Sequence, residues 1–206
     1  MIKYRFFIDF SKEEKWLNKM SKSGYEFVSK NKLGGYIFRE AEPNDTTIRM
    51  DYRLFKKEID FQDYCTLFED SGWKHIAGKK SSGNQYFAKI KENAANDIFS
   101  DNASKAGRYK RISEMWLTTS IIFIPMMVAL LCTGAIDVNA LLNPKLLYFT
   151  PMLWEKTGLE FWYAFLFETP FALVRGLLCI FFPIAIFLSL YFALRAYFFH
   201  KQSFSN

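Results

Sequence analysis

The chain opens with alternating apolar and polar residues: Ile2, Tyr4, Phe6 and Ile8 fall on one side, Lys3, Arg5 and Asp9 on the other. A period of two predicts a strand with one buried face. The alternation returns at Ile48, Met50, Tyr52 and Leu54 against Arg49, Asp51 and Arg53. After each strand the period lengthens. Trp16, Leu17 and Met20, and later Tyr64, Leu67 and Phe68, are spaced for one stripe of an amphipathic helix. Ser11-Lys12-Glu13-Glu14 reads as a capping box for the first helix, and Asp60 opens the second. Gly24 and Gly72 fall where a glycine ends a helix in the left-handed conformation. Strands Tyr25–Lys30 and Trp73–Ala77 follow. Each turns through a glycine-bearing stretch, Leu33-Gly34-Gly35 or Ser81-Ser82-Gly83, into strands over 36–39 and 85–90.

The two runs are related by an offset of 48 residues. Tyr4-Arg5-Phe6-Phe7 returns as Tyr52-Arg53-Leu54-Phe55, Ser23-Gly24-Tyr25 as Ser71-Gly72-Trp73, and Trp16 and Met20 as Tyr64 and Phe68. Similarity at a fixed offset predicts duplication of one β-α-β-β unit, although two copies are too few for a solenoid. The expected fold is α+β, an antiparallel sheet of about six strands with two helices on one face, followed by transmembrane helices. The open face of that sheet shows Lys3, Arg5, Arg49, Asp51 and Arg53. Of these, Arg5, Arg49, Asp51 and Arg53 are the candidate surface for a partner or ligand. A solvated face is the plainer reading, since mixed charge on the open side of a sheet is ordinary.

Past residue 114 the pattern changes. Residues 115–136 hold no charge, and 176–194 read GLLCIFFPIAIFLSLYFAL between Arg175 and Arg195. Each run approaches or exceeds the ~20 apolar residues that cross a hydrocarbon core, and Pro125 is expected to kink the first. Lys105, Arg108, Lys110 and Arg111 precede the first span, and Arg195 and Lys201 follow the second. Basic residues favour cytoplasmic flanks, which puts both termini in the cytoplasm and makes the chain a multi-pass protein of the cell membrane. Residues 1–92 then form a cytoplasmic duplicated domain, and 93–114 a helical juxtamembrane link capped near Ser100 or Asp101. Residues 115–198 form a membrane hairpin, with spans over about 115–136 and 176–196, and 199–206 a short cytoplasmic tail. The outer loop, 137–175, is aromatic and broken by Pro144, Pro151 and Pro170; short amphipathic helices in the outer interface are expected there. A third span over 159–174 is the second choice, because it buries Glu168 and moves the C-terminus outside.

Composition sharpens this division. The chain is 50% hydrophobic and 19% aromatic, with a net charge of +6. Residues 1–92 carry 18 Lys/Arg and 14 Asp/Glu, against 5 and 4 in residues 116–206, so two environments share one chain. The excess of basic residues in 1–92 is too dilute for a nucleic-acid stripe and suits an anionic inner membrane surface. No nucleic-acid partner is expected. Cys65, Cys132 and Cys179 make no disulfide framework and suit a reducing cytoplasm. The opening run MIKYRFFIDF lacks the basic-then-apolar order of a secretory signal.

Candidate chemistry is sparse. His75 and His200 lie far apart, no cluster has zinc-site spacing, and no phosphate-loop, dinucleotide or nucleophile-elbow motif occurs. Glu13-Glu14 and Glu69-Asp70 are paired carboxylates on helices, where the first pair serves capping and the helix dipole. His75 is expected to be packed rather than reactive. No catalytic residue, cofactor or metal is expected, and the chain is not read as an enzyme. Within the membrane part, Arg175 and Glu168 are the candidate functional residues, since ionisable groups at membrane depth mark function; the plainer reading of Arg175 is a flank at a span's outer end that reaches head groups. They are seven residues apart with Pro170 between them.

The runs Tyr4-Arg5-Phe6-Phe7, Lys15-Trp16-Leu17, Ser23-Gly24-Tyr25, Asp51-Tyr52-Arg53 and Leu67-Phe68-Glu69-Asp70-Ser71-Gly72-Trp73 resemble the DUF2812 family of bacterial proteins, most common in Firmicutes. Ile98-Phe99-Ser100-Asp101-Asn102, Ser104-Lys105 and Arg108-Tyr109 are similar to the tail of that domain, so the resemblance covers about residues 3–111. It implies no assigned activity and no catalytic residues. Family members often carry C-terminal membrane helices, and many are encoded near PadR-type transcriptional regulators, which implies regulation or stress response. The partners implied are the lipid bilayer and a protein, either a transcriptional regulator or a membrane complex; a homo-oligomer is compatible with both. The expected function is that of a membrane-anchored regulatory or sensory protein whose α+β domain binds a partner or ligand. The alternative is a transport-associated or antimicrobial-immunity protein in which the hairpin is the active part.

Overall fold

Strand β1 (Ile2–Tyr4), helix α1 (Phe10–Lys22), β2 (Tyr25–Lys30) and β3 (Gly35–Glu40) make a first β-α-β-β run. The order recurs as β4 (Ile48–Tyr52), α2 (Glu58–Asp70), β5 (Trp73–Ala77) and β6 (Asn84–Lys89). The computed structural model describes residues 1–31 and 33–205. Both helices end before a glycine in the left-handed region, Gly24 at φ +81° and Gly72 at φ +86°, as their positions predict. The starts differ from expectation. Asp9, not Ser11, caps α1, its Oδ1 accepting from the Ser11 amide at 2.9 Å. Helix α2 begins at Glu58, before Asp60, and Lys57 at its cap makes no side-chain bond.

The strands form two antiparallel sheets of three, ordered β1-β3-β2 and β4-β6-β5, rather than one sheet of six. Strands β2 and β5 lie side by side. Each carries an irregularity, between Phe27 and Ser29 and between His75 and Ala77, and a bulge interrupts the regular pairing a shared ladder would need. The helices also do not share a face. Helix α1 packs Trp16 against Tyr36 and Phe38 of the first sheet, at 4.8 and 5.5 Å between ring centroids. Its Glu13, Glu14 and Asn18 bond to the second sheet. Helix α2 covers the other face of that second sheet, where Tyr64, Trp73 and Phe87 form a core with Phe55, Phe61 and Phe68 packed on it.

This layering overturns the reading of the strand faces. Strand β4 is covered on both sides, so Asp51 is buried along with Ile48, Met50 and Tyr52. In β1 the apolar residues point outward: Ile2 is 53% and Tyr4 63% exposed, and Phe6 beyond the strand 71%. Lys3 turns inward instead, its Nζ 3.6 Å from Met20 Sδ and over the Tyr25 ring.

Helix α3 (Asn102–Cys132) follows, with the Asp101 carboxylate accepting from the Ser104 amide at 2.6 Å. After three short 3₁₀ turns, Val138–Leu141, Pro144–Leu147 and Leu153–Glu155, helix α4 runs from Gly158 to Ser205 through Pro170 and Pro183. Both α3 and α4 are long and apolar enough to cross a membrane. The expected outer loop is therefore shorter than 137–175, because 159–174 belongs to α4. Pro170 offers no amide to the Leu166 carbonyl four residues back, and beside it Thr169 donates its hydroxyl to the Phe165 carbonyl at 2.6 Å.

The chain divides into two compact units, residues 1–113 with 194–206, and residues 114–193. In the first, the end of α4 is not a loose tail: Phe199 packs on Tyr109 at 5.5 Å, and His200 Nδ1 lies 3.0 Å from the Ala106 carbonyl. In the second, Ser120 and Ser189 hydroxyls bond at 2.6 Å, and Trp116 packs on Phe192.

Candidate functional site

Because Asp9 caps α1, Glu13 and Glu14 are available for other work, and both are buried. The Glu13 carboxylate accepts from the Tyr36 hydroxyl at 2.6 Å and the Tyr86 hydroxyl at 2.7 Å, with Lys30 Nζ at 3.6 Å. Burial and the neighbouring Glu13 carboxylate both push the Tyr36 and Tyr86 phenols far above their usual range. They remain protonated donors. Glu14 accepts from the Met50 amide at 3.1 Å and from Arg108 Nη1 at 2.5 Å.

Arg108 is wholly buried. Its Nη1 also donates to the Met50 carbonyl at 2.8 Å, and its guanidinium lies 5.1 to 5.4 Å from the ring centroids of Phe10, Tyr109 and Phe99. Rings that close to a desolvated cation attract it through their quadrupoles. One turn on, Arg111 Nε donates to the Tyr52 carbonyl at 2.5 Å and its Nη2 to Asp51 Oδ1 at 2.5 Å. Asp51 Oδ2 accepts from the Tyr64 hydroxyl at 2.9 Å.

These bonds solve a problem of topology. Strand β4 is an edge strand, and the Ile48 and Met50 amides and the Met50 and Tyr52 carbonyls point away from β6. Such groups attract another strand unless covered. Asn18 and Glu14 of α1 take the amides, and Arg108 and Arg111 of α3 take the carbonyls. The start of α3 is thereby fastened to both β-α-β-β runs.

The candidate surface residues do not converge. Asp51 is in the Arg111 pair. Arg5 and Arg53 are exposed and stack over Trp16 and over Phe55 and Tyr64, while half-buried Arg49 bonds to the Ile48 carbonyl. Arg175 and Glu168 do meet, at 2.9 Å. Glu168 also accepts from the Phe149 and Thr150 amides at 2.7 and 2.8 Å and from the Thr150 hydroxyl, and Arg175 donates to the Leu147 carbonyl at 2.6 Å. Together they pin the segment around the second 3₁₀ turn against α4.

Glu13, Glu14, Arg108 and Arg111 were assigned by sequence to caps and membrane flanks. The signal that could have revealed them is two acids next to the apolar stripe of α1 and two bases three residues apart in the helical link. His75 packs on Phe61 and Phe87, with Nε2 3.0 Å from Gln85 Oε1, and burial lowers its pKa below the ordinary 6.5. Among the described residues, no group of three His, Cys, Asp or Glu is placed to hold a metal ion.

Between the β2–β3 and β5–β6 hairpins lies a cleft of about 880 Å³. Lys30 and Lys79 line it together with Ser29, Ser81, Val28 and Ile76, and among the described residues no carboxylate does.

The geometry defines an α+β domain fastened to the start of a long helix, in a chain with two helices apolar enough to cross a membrane. The family model described as "Protein of unknown function (DUF2812)" matches residues 9–121, and the chain belongs to that family. The match reaches past Arg111, so it takes in the whole fastening. No curated protein and no solved structure matches the chain.

Proposed function

We propose that this protein is a membrane-anchored regulatory or sensory module, non-catalytic, in which the α+β domain takes up a protein partner or ligand and α3 carries the response. One observation supports this above others. Arg108 and Arg111 bind α3 to both β-α-β-β runs, and the same helix continues without a break to Cys132. A flexible tether would need no buried arginine. In this reading the two runs are copies of one unit, α3 and α4 form a membrane hairpin with both termini in the cytoplasm, and the partner is a transcriptional regulator or a membrane complex.

The Glu168–Arg175 knot favours a second reading, in which the membrane segment itself acts, in transport or in immunity to a membrane-active peptide. Ordering a turn with a buried ion pair suits a recognition surface. Affinity purification in mild detergent separates the two, using the full chain and a fragment of residues 112–206 as baits. The proposal predicts partners held by the full chain and absent from the fragment. The same partners on both baits would sink it and favour the second reading.

A further inference from the structure

The cleft between the two hairpins is built for an anion. Lys30 comes from β2 on one wall, and Lys79 from the β5–β6 turn on the other. Ser29 and Ser81 add hydroxyls at the same walls, and Val28, Ile76, Ala77 and Tyr86 give it an apolar side. A volume of about 880 Å³ exceeds what a bare inorganic anion fills and falls within the range of small-molecule sites, ~300–1,000 Å³. Lys30 shares its charge with Glu13, while Lys79 meets no carboxylate among the described lining residues; the excess of positive charge favours an anionic group, and lysine ammonium is a common phosphate ligand. Lys30 is held in place by the Tyr36 hydroxyl at 2.9 Å and by Glu13 at 3.6 Å.

We propose that this cleft binds a small organic phosphate, its phosphoryl group between Lys30 and Lys79 and its carbon body against Val28, Ile76 and Tyr86. The proposal rests on the reading of the α+β domain as the binding half of the protein and names its ligand class. The position suits a sensor. Tyr86 lines the cleft and donates to Glu13, and the next residue, Glu14, holds Arg108 of α3. A ligand there lies two side chains from the fastening.

The phosphoryl group could belong to a free metabolite or to a lipid headgroup, and the test has an arm for each. The full chain, purified in neutral detergent, is titrated with phenyl phosphate by calorimetry. In parallel the same detergent-solubilised chain is titrated with mixed micelles of phosphatidylcholine with and without phosphatidic acid. Saturable binding of phenyl phosphate supports the site with a soluble source. Saturable binding of phosphatidic acid micelles with none of phenyl phosphate, weakened by Lys79→Gln, supports the same site with a lipid source. Lys79→Gln changes an exposed side chain and should weaken binding about tenfold or more, the usual loss for a hydrogen bond to a charged group. Lys30→Gln should do the same, but it also touches Glu13. Ser81→Asp therefore serves as the second variant, since it leaves that network intact and places a carboxylate in the cleft. Absence of binding in both arms, or affinity unchanged in Lys79→Gln and Ser81→Asp, overturns the proposal. A null result here leaves the partner comparison with the two baits untouched.

Discussion

Glu14 and Arg108 are 94 positions apart and meet at 2.5 Å inside the α+β domain. A buried ion pair contributes little net stability against an apolar replacement, but breaking one strands a charge, at a cost of about 3–5 kcal/mol. Arg108→Met should therefore destabilise the first unit by that amount in chemical denaturation, because Glu14 stays buried without its cation. The double variant Glu14→Gln/Arg108→Met should recover much of the loss. Equal losses in single and double variants would show that the pair matters only for packing. The Arg111–Asp51 pair should matter less, since Arg111 is partly exposed and solvent screens it. His75 offers a pH test. Burial depresses its folded pKa, so the folded state binds fewer protons there than the unfolded chain. Stability is complete above about 6.5, the ordinary histidine value, and is lost as pH falls below it. Thermal melts at pH 7.5 and 5.5 should show a smaller acid shift in His75→Gln than in the native chain; an identical shift would assign it to other groups.

At the scale of elements, the strands and helices were legible where the periodicity was strong. Strands β2 and β5 and the glycines ending α1 and α2 lie where the pattern puts them. Starts of helices were not. Three acids follow Phe7 within seven residues, and the pattern cannot say which one caps and which are buried; Asp9 caps, which leaves Glu13 and Glu14 to partners in the sheets and α3. The start of α4 was misplaced for a related reason. Pro170 and Glu168 look like breaks in a linear reading, yet α4 runs through both, and Arg175 answers the Glu168 charge.

At the scale of the molecule, the two apolar helices are the largest fact, and orientation is the largest proposal. Arg108 and Arg111 are among the basic residues that favour a cytoplasmic flank, and both are committed to Glu14 and Asp51. Orientation therefore wants its own measurement, and the native cysteines supply one. Cys132 is exposed at the end of α3, Cys65 is half-buried in α2, and Cys179 is buried. With both termini in the cytoplasm, a membrane-impermeant maleimide added to intact cells should modify Cys132 and spare Cys65 until the cells are permeabilised. The opposite order would invert the proposed topology and with it the proposed cytoplasmic placement of the α+β domain.

Sequence by itself determined the α+β class, the repeating element order, the two apolar helices and the family, because each is written in local periodicity, length or motif. The Glu168–Arg175 candidates were also found this way, since ionisable residues in an apolar run stand out without any fold. Only tertiary structure decided which faces are buried. A period of two says that a strand has two sides, not that helices cover both, as they do β4, or that the apolar side is the outer one, as in β1. The same holds for the fastening of α3. Its acids and bases come from distant parts of the chain, and only packing α1 between the sheets brings Glu14, Met50 and Arg108 to one point.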